Sequence, residues 1–184
     1  MIVKRNKKKI ILVLLTFVLI GVIYFVTREN NKTENGELLN LSNLKPNHLI
    51  ISKISLDEPV YDDKKQGAVS DDFLAKGLSY YDENTNKPGQ GNVVIFGHSA
   101  VTSKHSAPFK KVGKGELQKG DKIMLIDKNK ERFVYEVSET KTVSADDFSI
   151  IKPTTKKIIT LVTCVAPDFP GDKRLVVIGS LKQQ

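Results

Sequence analysis

The sequence predicts a mainly β fold: a closed or nearly closed β-barrel with short helices, preceded by one apolar N-terminal helix. Three observations carry this reading. Residues 48–184 hold many short apolar or alternating runs separated by turn formers. Helical periodicity is almost missing from those runs. The first 26 residues, by contrast, have a basic head followed by an uncharged apolar stretch, a pattern found nowhere else in the chain.

That head, "MIVKRNKKK", carries Lys4, Arg5, Lys7, Lys8 and Lys9 and no acid. "IILVLLTFVLIGVIYFV" follows at residues 10–26. Seventeen helical residues at about 1.5 Å each reach roughly 26 Å, near the ~30 Å hydrocarbon core of a bilayer. The run is longer than a cleaved signal peptide needs, and its exit "YFVTREN" lacks a small-residue cleavage pair. It reads as an uncleaved, single-pass signal anchor, with the basic head cytoplasmic and everything after it outside the cell membrane. Five of the 29 basic residues belong to this head, so the rest of the chain holds only +3 of the net +8. That small excess excludes nucleic acid as the expected partner; the basic head sets topology and touches anionic headgroups.

Residues 27–47, "TRENNKTENGELLNLSNLKPN", are polar and read as a stalk, with a short helix at "ELLNLSNL". Residues 48–184 suffice for one packed domain. In order, "HLIISKISL" and "EPVYD" read as two strands with a kink near Asp57. "SDDFLAKGL" reads as a helical turn capped by Ser70, and "DENTNKPGQG" as turns. "NVVIFGHS" is a buried strand ending at Gly97. "ELQKGDKIMLID" gives a turn at Lys119-Gly120-Asp121 and then a strand. "ERFVYEVSETKTV" alternates as a half-buried strand should, and "KKIITLVTC" and "RLVVIGSL" are the last two strands.

"TLVTC" ends in Cys164, the sole cysteine of the chain. No internal disulfide is available, and two readings stand: a small buried hydrophobe, or a reactive thiol kept for its chemistry outside the cell. A thiol nucleophile needs a base that promotes the thiolate, an acid for the leaving amine and a donor for the oxyanion. Of three histidines, His98 ends a strand and is the best placed; His48 at the stalk junction and His105 in a polar loop read as solvated. Arg174 lies ten residues after Cys164, at the start of the next strand, so a short loop brings both to one rim. Its alternative is an ordinary solvated arginine. Lys173 faces the other way by strand alternation.

Together, the anchor, the stalk, "ISKISLDEPVY", "VVIFGHS", "TLVTC" and the arginine opening "RLVVIGSL" resemble a sortase over residues 48–181. The resemblance implies an eight-stranded β-barrel and a membrane-bound cysteine transpeptidase of a Gram-positive surface. It implies secreted proteins bearing an LPXTG-type sorting signal as substrates, cleaved after the Thr through a thioester. The acceptor is then an amine of a lipid-linked cell-wall precursor or a pilin lysine. The family's catalytic Cys, His and Arg fall on Cys164, His98 and Arg174, and the Thr before the nucleophile, expected to bind substrate or support the site, is Thr163. No cofactor is expected. The family sometimes binds calcium, but the acidic pairs in "SADDF" and "SDDF" read as solvated loop charges.

Some features depart from the simplest family pattern. "GHSAVTSKHSAPFKKVGKGELQKGD" is long and polar, and the Cys-to-Arg spacing is short. The stalk shows no Asp-Pro-aromatic lid, and no second apolar span follows residue 181. These features favour an anchoring enzyme over a pilin-polymerising one. A hydrolytic cysteine peptidase would use the same three residues. A tethered binding module would need none of them.

Overall fold

A computed structural model describes residues 44–62, 71–81, 87–101, 106–165 and 171–182, with residues 71–73 described by backbone alone. The predicted anchor, the stalk up to residue 43 and His105 lie outside these residues. Among the described residues, no helix is long and apolar enough to cross a membrane.

Eight strands close into a barrel, as expected: β1 (His48–Ile51), β2 (Leu56–Asp62), β3 (Leu78–Tyr80), β4 (Asn92–Phe96), β5 (Lys122–Ile126), β6 (Arg132–Ser144), β7 (Ile158–Cys164) and β8 (Lys173–Leu181). Around the barrel they run β1-β2-β3-β4-β7-β8-β6-β5. β2–β3 and β4–β7 are parallel pairs and the remaining pairs are antiparallel. β6 is thirteen residues long because it serves two partners, β5 along its first half and β8 along most of its length. A register shift between Val137 and Glu139 bends it from one to the other.

Two boundaries differ from the sequence reading. The first predicted strand stops at Ile51, and Ser52–Ile54 forms a 3-10 turn. Ser55 then takes φ 54°, its N–H donating to Ser52 O, so the break falls there and Asp57 lies inside β2. An alternating pattern survives a one-turn interruption, so the pattern alone could not locate it. The other difference is β3, which the sequence reading did not give: its first residue, Leu78, was the last of the predicted helical turn, and Ser79 and Tyr80 fell between elements. The helix α1 (Asp71–Lys76) stops at Gly77, where a Cβ would sit 3.1 Å from Tyr61 Cε2 and 3.2 Å from Pro59 O. That close approach lets Leu78 pair with Val60.

Strand alternation divides β4, β7 and β8 into two faces. Val93, Ile95, Ile159, Leu161 and Val177 point into the core with Tyr135. Each such side chain contributes roughly 1.5–3 kcal/mol on burial. Tyr135 keeps its hydroxyl satisfied by the Gly89 N–H at 2.9 Å, and burial pushes its phenol up to about 12 against that bond. Gly89 has φ +81°, and a Cβ there would strike the Phe133 ring at 2.6 Å. The opposite face of the same strands carries Val94, Val162 and Val176, buried although they lie outside the barrel core.

Candidate active site

The last residue of β7 and the second of β8 are direct cross-strand partners: Cys164 faces Arg174. Such partners have Cβ atoms about 4.5–5.5 Å apart on one face of the sheet. Their face is the outward one, because Val162 pairs with Val176 on it one step earlier. Both residues are half-buried. Arg174 Nη1 donates to Gly171 O at 2.9 Å and to Lys173 O at 3.0 Å. These two carbonyls anchor one nitrogen of the guanidinium and fix the plane of the fork. Lys173 is exposed and pairs with Ser144, on the other face, as alternation requires.

β4 runs parallel to β7, with Phe96 level with Val162. Gly97 N donates to Val162 O at 3.2 Å. β4 ends at Phe96, but the residues on either side of His98 bond the end of β7: Gly97 O accepts from the Thr163 hydroxyl and Ser99 Oγ donates to Cys164 O, which places the His98 backbone beside Cys164. His98 O accepts from Phe109 N at 2.9 Å, which turns the chain toward the short helix α2 (Lys110–Gly113). His98 Nε2 is shielded from solvent. Gly97 is required at this pivot: a Cβ would lie 2.5 Å from Leu78 Cδ2 and 2.7 Å from the Phe109 ring.

Pairing therefore brings Cys164 and Arg174 together at one rim, and the bonds of Gly97 and Ser99 bring the His98 backbone beside them. The fourth sequence-predicted residue has a different place from the substrate contact expected of it. Thr163 is 3% exposed, and its hydroxyl donates to Gly97 O at 2.7 Å. It points inward, as the neighbour of an outward-facing Cys164 must, so it supports the pivot from inside. His48 is also corrected. It is not solvated: its side chain is 12% exposed and its Nδ1 lies 2.8 Å from Asp57 Oδ1, on the first strand and away from the thiol. Of the acidic pairs, Asp147 caps the 3-10 turn Phe148–Ile151 by accepting from Ser149 N at 2.9 Å. That contact with Ser149, ahead of the nearby Lys141 and Lys152 charges, holds its carboxyl below the ordinary range.

Sequence reasoning missed two groups. Ser99 Oγ donates to Cys164 O at 2.9 Å. Asn92 accepts from Thr160 Oγ1 at 2.6 Å and donates to Ile150 O at 3.0 Å and Lys152 O at 3.2 Å. A buried Asn at the head of an apolar strand was the available signal for the second. Nothing in "GHS" sets Ser99 apart from a loop serine.

On the outward face, Phe96, Val162 and Val176 form an apolar row across β4, β7 and β8, next to the Cys164–Arg174 pair, with both valines buried. The arrangement suits a nucleophile at a strand end, with a histidine-bearing segment on one side and a cationic fork on the other.

A family model described as "Sortase domain" matches residues 49–182. Sortase D of Bacillus subtilis is 32% identical over 134 residues, covering 71% of this chain and 61% of that protein. The chain thus spans about three fifths of that curated relative. Among solved structures, sortase A of Listeria monocytogenes superposes with a TM-score of 0.60 at 27% identity, over 74% of this chain and 86% of that one. Sortase C1 of Streptococcus agalactiae gives 0.63 at 26% identity, over 75% and 67%.

Proposed function

The chain belongs to the sortase family, and from that premise we propose that it is a membrane-anchored cysteine transpeptidase. Residues 1–26 form its cytoplasmic flank and signal anchor, 27–47 its stalk and 48–184 its catalytic domain. The direct pairing of Cys164 with Arg174, with the residues flanking His98 bonded to the end of β7, is the observation that supports this reading most.

The Cys164 thiolate attacks the carbonyl of the Thr in an LPXTG-type sorting signal, forming a C–S bond. Arg174 donates to the resulting oxyanion through nitrogens other than the anchored Nη1. His98 gives a proton to the departing amine as the C–N bond breaks, leaving a thioester. An acceptor amine of the cell-wall precursor then attacks the thioester and loses its proton to His98 as the C–S bond breaks, which releases the acyl product and restores the thiolate. These steps call for no cofactor.

The test uses the full chain in detergent with a sorting-signal peptide and an amine. Mass spectrometry is expected to show an acyl adduct on Cys164 and partition of product to the amine. Cys164→Ala abolishes the adduct, and Arg174→Ala slows turnover about 10²–10³-fold with the fold intact. Product that ignores the amine would assign hydrolysis instead. No adduct at all would sink the enzyme reading and leave a binding module.

A further inference from the structure

We propose that Ser99 is a positioning residue that sets the spacing between the His98 imidazole and the Cys164 thiol. The parallel ladder between β4 and β7 has a rung at Gly97 N to Val162 O. The next rung in that two-residue spacing falls on Cys164 O. There the donor is the Ser99 hydroxyl, at 2.9 Å. The substitution has a structural reason. After Gly97 the backbone leaves the sheet to reach the Phe109 N–H and α2, so a backbone rung would hold it in the strand. A hydroxyl on a short side chain spans the widening gap and keeps the end of β7 tied.

The tie is boxed in. Ser99 is 5% exposed. From the far side, α2 brings Gly113 so close that an added Cβ would lie 2.5 Å from Ser99 Cβ and 2.9 Å from Cys164 O. Gly113 is thus the second half of the clamp: it leaves room for the hydroxyl and no room for it to move. One hydrogen bond therefore links the residue after the histidine to the carbonyl of the nucleophile itself. Thr163 makes the complementary link from inside the barrel, to Gly97 O. Between them the two hydroxyls hold the backbone on both sides of His98 against both sides of the Cys164 α-carbon. A misplacement of about 1 Å between reacting groups costs on the order of 10²-fold in rate, so such a link acts on turnover well before it acts on folding.

The kinetic arm of the test rests on the transpeptidase reading; the alkylation arm does not. The full chain, Ser99→Ala and Gly113→Ala are compared in detergent. Iodoacetamide alkylation of Cys164 is followed against pH, since the thiolate is the reacting species. Ser99→Ala is expected to displace that profile from the parent's and to lower kcat roughly 10-fold or more, with KM within about 2-fold. Its melting temperature stays within about 4 °C, as for a loss near 1 kcal/mol. Gly113→Ala pushes the same junction from the opposite side and gives the same signature. A parent-like alkylation profile with a parent-like kcat in Ser99→Ala overturns the proposal. So does a loss of activity that only follows a collapse of melting temperature, which would make Ser99 a fold residue. If the parent transfers no peptide, the transpeptidase reading fails by itself, and the alkylation profiles still decide the role of Ser99.

Discussion

The seam between β4 and β7 is tied at both ends by threonine hydroxyls, and the two ties hold different things. At its start, Thr160 bonds the side chain of Asn92, whose amide reaches Ile150 O and Lys152 O in the β6–β7 connection. At its end, Thr163 bonds the backbone of Gly97, and Ser99 bonds the backbone of Cys164. The first network passes through side chains to an added segment. In the second, a side-chain hydroxyl from each segment bonds a backbone carbonyl of the other. A fault in the first frees a loop that overhangs the outward face. A fault in the second moves the residues that carry the chemistry. The same hydroxyl chemistry thus secures a connecting loop at one end of the seam and the end of the Cys164 strand at the other.

Thr163→Val is the sharpest way to break this contrast. It keeps the shape and deletes the donor, so Gly97 O is left buried without its hydroxyl partner. The expected loss is about 1–3 kcal/mol of stability, from urea unfolding, together with a fall in kcat at nearly constant KM. A stable variant with parent-like turnover would show that packing of Gly97 against Leu78 and Phe109 alone fixes the pivot.

Asn92→Leu tests the other end and should act on different constants. Three hydrogen bonds vanish, and the Thr160 hydroxyl loses its acceptor in a site 1% exposed. Stability falls by about 1–2 kcal/mol, because the loop carbonyls can regain water while Thr160 cannot. KM for the sorting peptide rises several-fold and kcat holds. Proteolytic nicking within residues 145–157 accelerates as the Phe148–Ile151 turn loses its anchor. A drop in kcat at unchanged KM would erase the distinction between the two ends.

The legible part of this molecule was what repeats or carries reactive atoms. The apolar runs at β4, β7 and β8 are long enough to show as strands, and the barrel followed from their number. Cys164, His98 and Arg174 were legible because thiol, imidazole and guanidinium are few and fall at strand ends. β3 was not, because three residues give no period to measure; only tertiary pairing with Val60 makes Leu78–Tyr80 a strand. The break at Ser55 hides for a related reason, since a left-handed serine leaves no composition signal. His48 looked solvated beside a polar stalk, and its partner Asp57 comes within reach only once β1 and β2 pair. Thr163 was read for its neighbour's chemistry; alternation next to an outward cysteine turns it inward. Ser99 and Gly113 are ordinary loop letters until α2 folds back onto the end of β7.

A site on the other side of the barrel supplies the control for both ties. Lys53 in the first 3-10 turn bonds Asp121 Oδ2 at 2.7 Å, and Gln118 N reaches the same oxygen at 2.6 Å. Burial raises this carboxyl, but the bonds from Lys53 and Gln118 and the Lys53 charge outweigh it and hold it below the ordinary range. A carboxyl lowered on folding stabilises the protein above its unfolded value of about 4, and that contribution fades as pH falls through the folded value. The pair is partly exposed to solvent, so its worth at neutral pH is below about 1 kcal/mol. Asp121→Asn should therefore lower the melting temperature slightly at pH 7, and the gap to the parent should close as pH drops below about 4. Its kcat and KM should match the parent, because the pair ties the first 3-10 turn to the head of β5 and leaves in place that turn's own link to α2, from Lys111 Nζ to Ile54 O at 2.9 Å. A change in kcat here would mean that loosening the barrel anywhere reaches the thiol, and the two ends of the seam would then lose their separate roles.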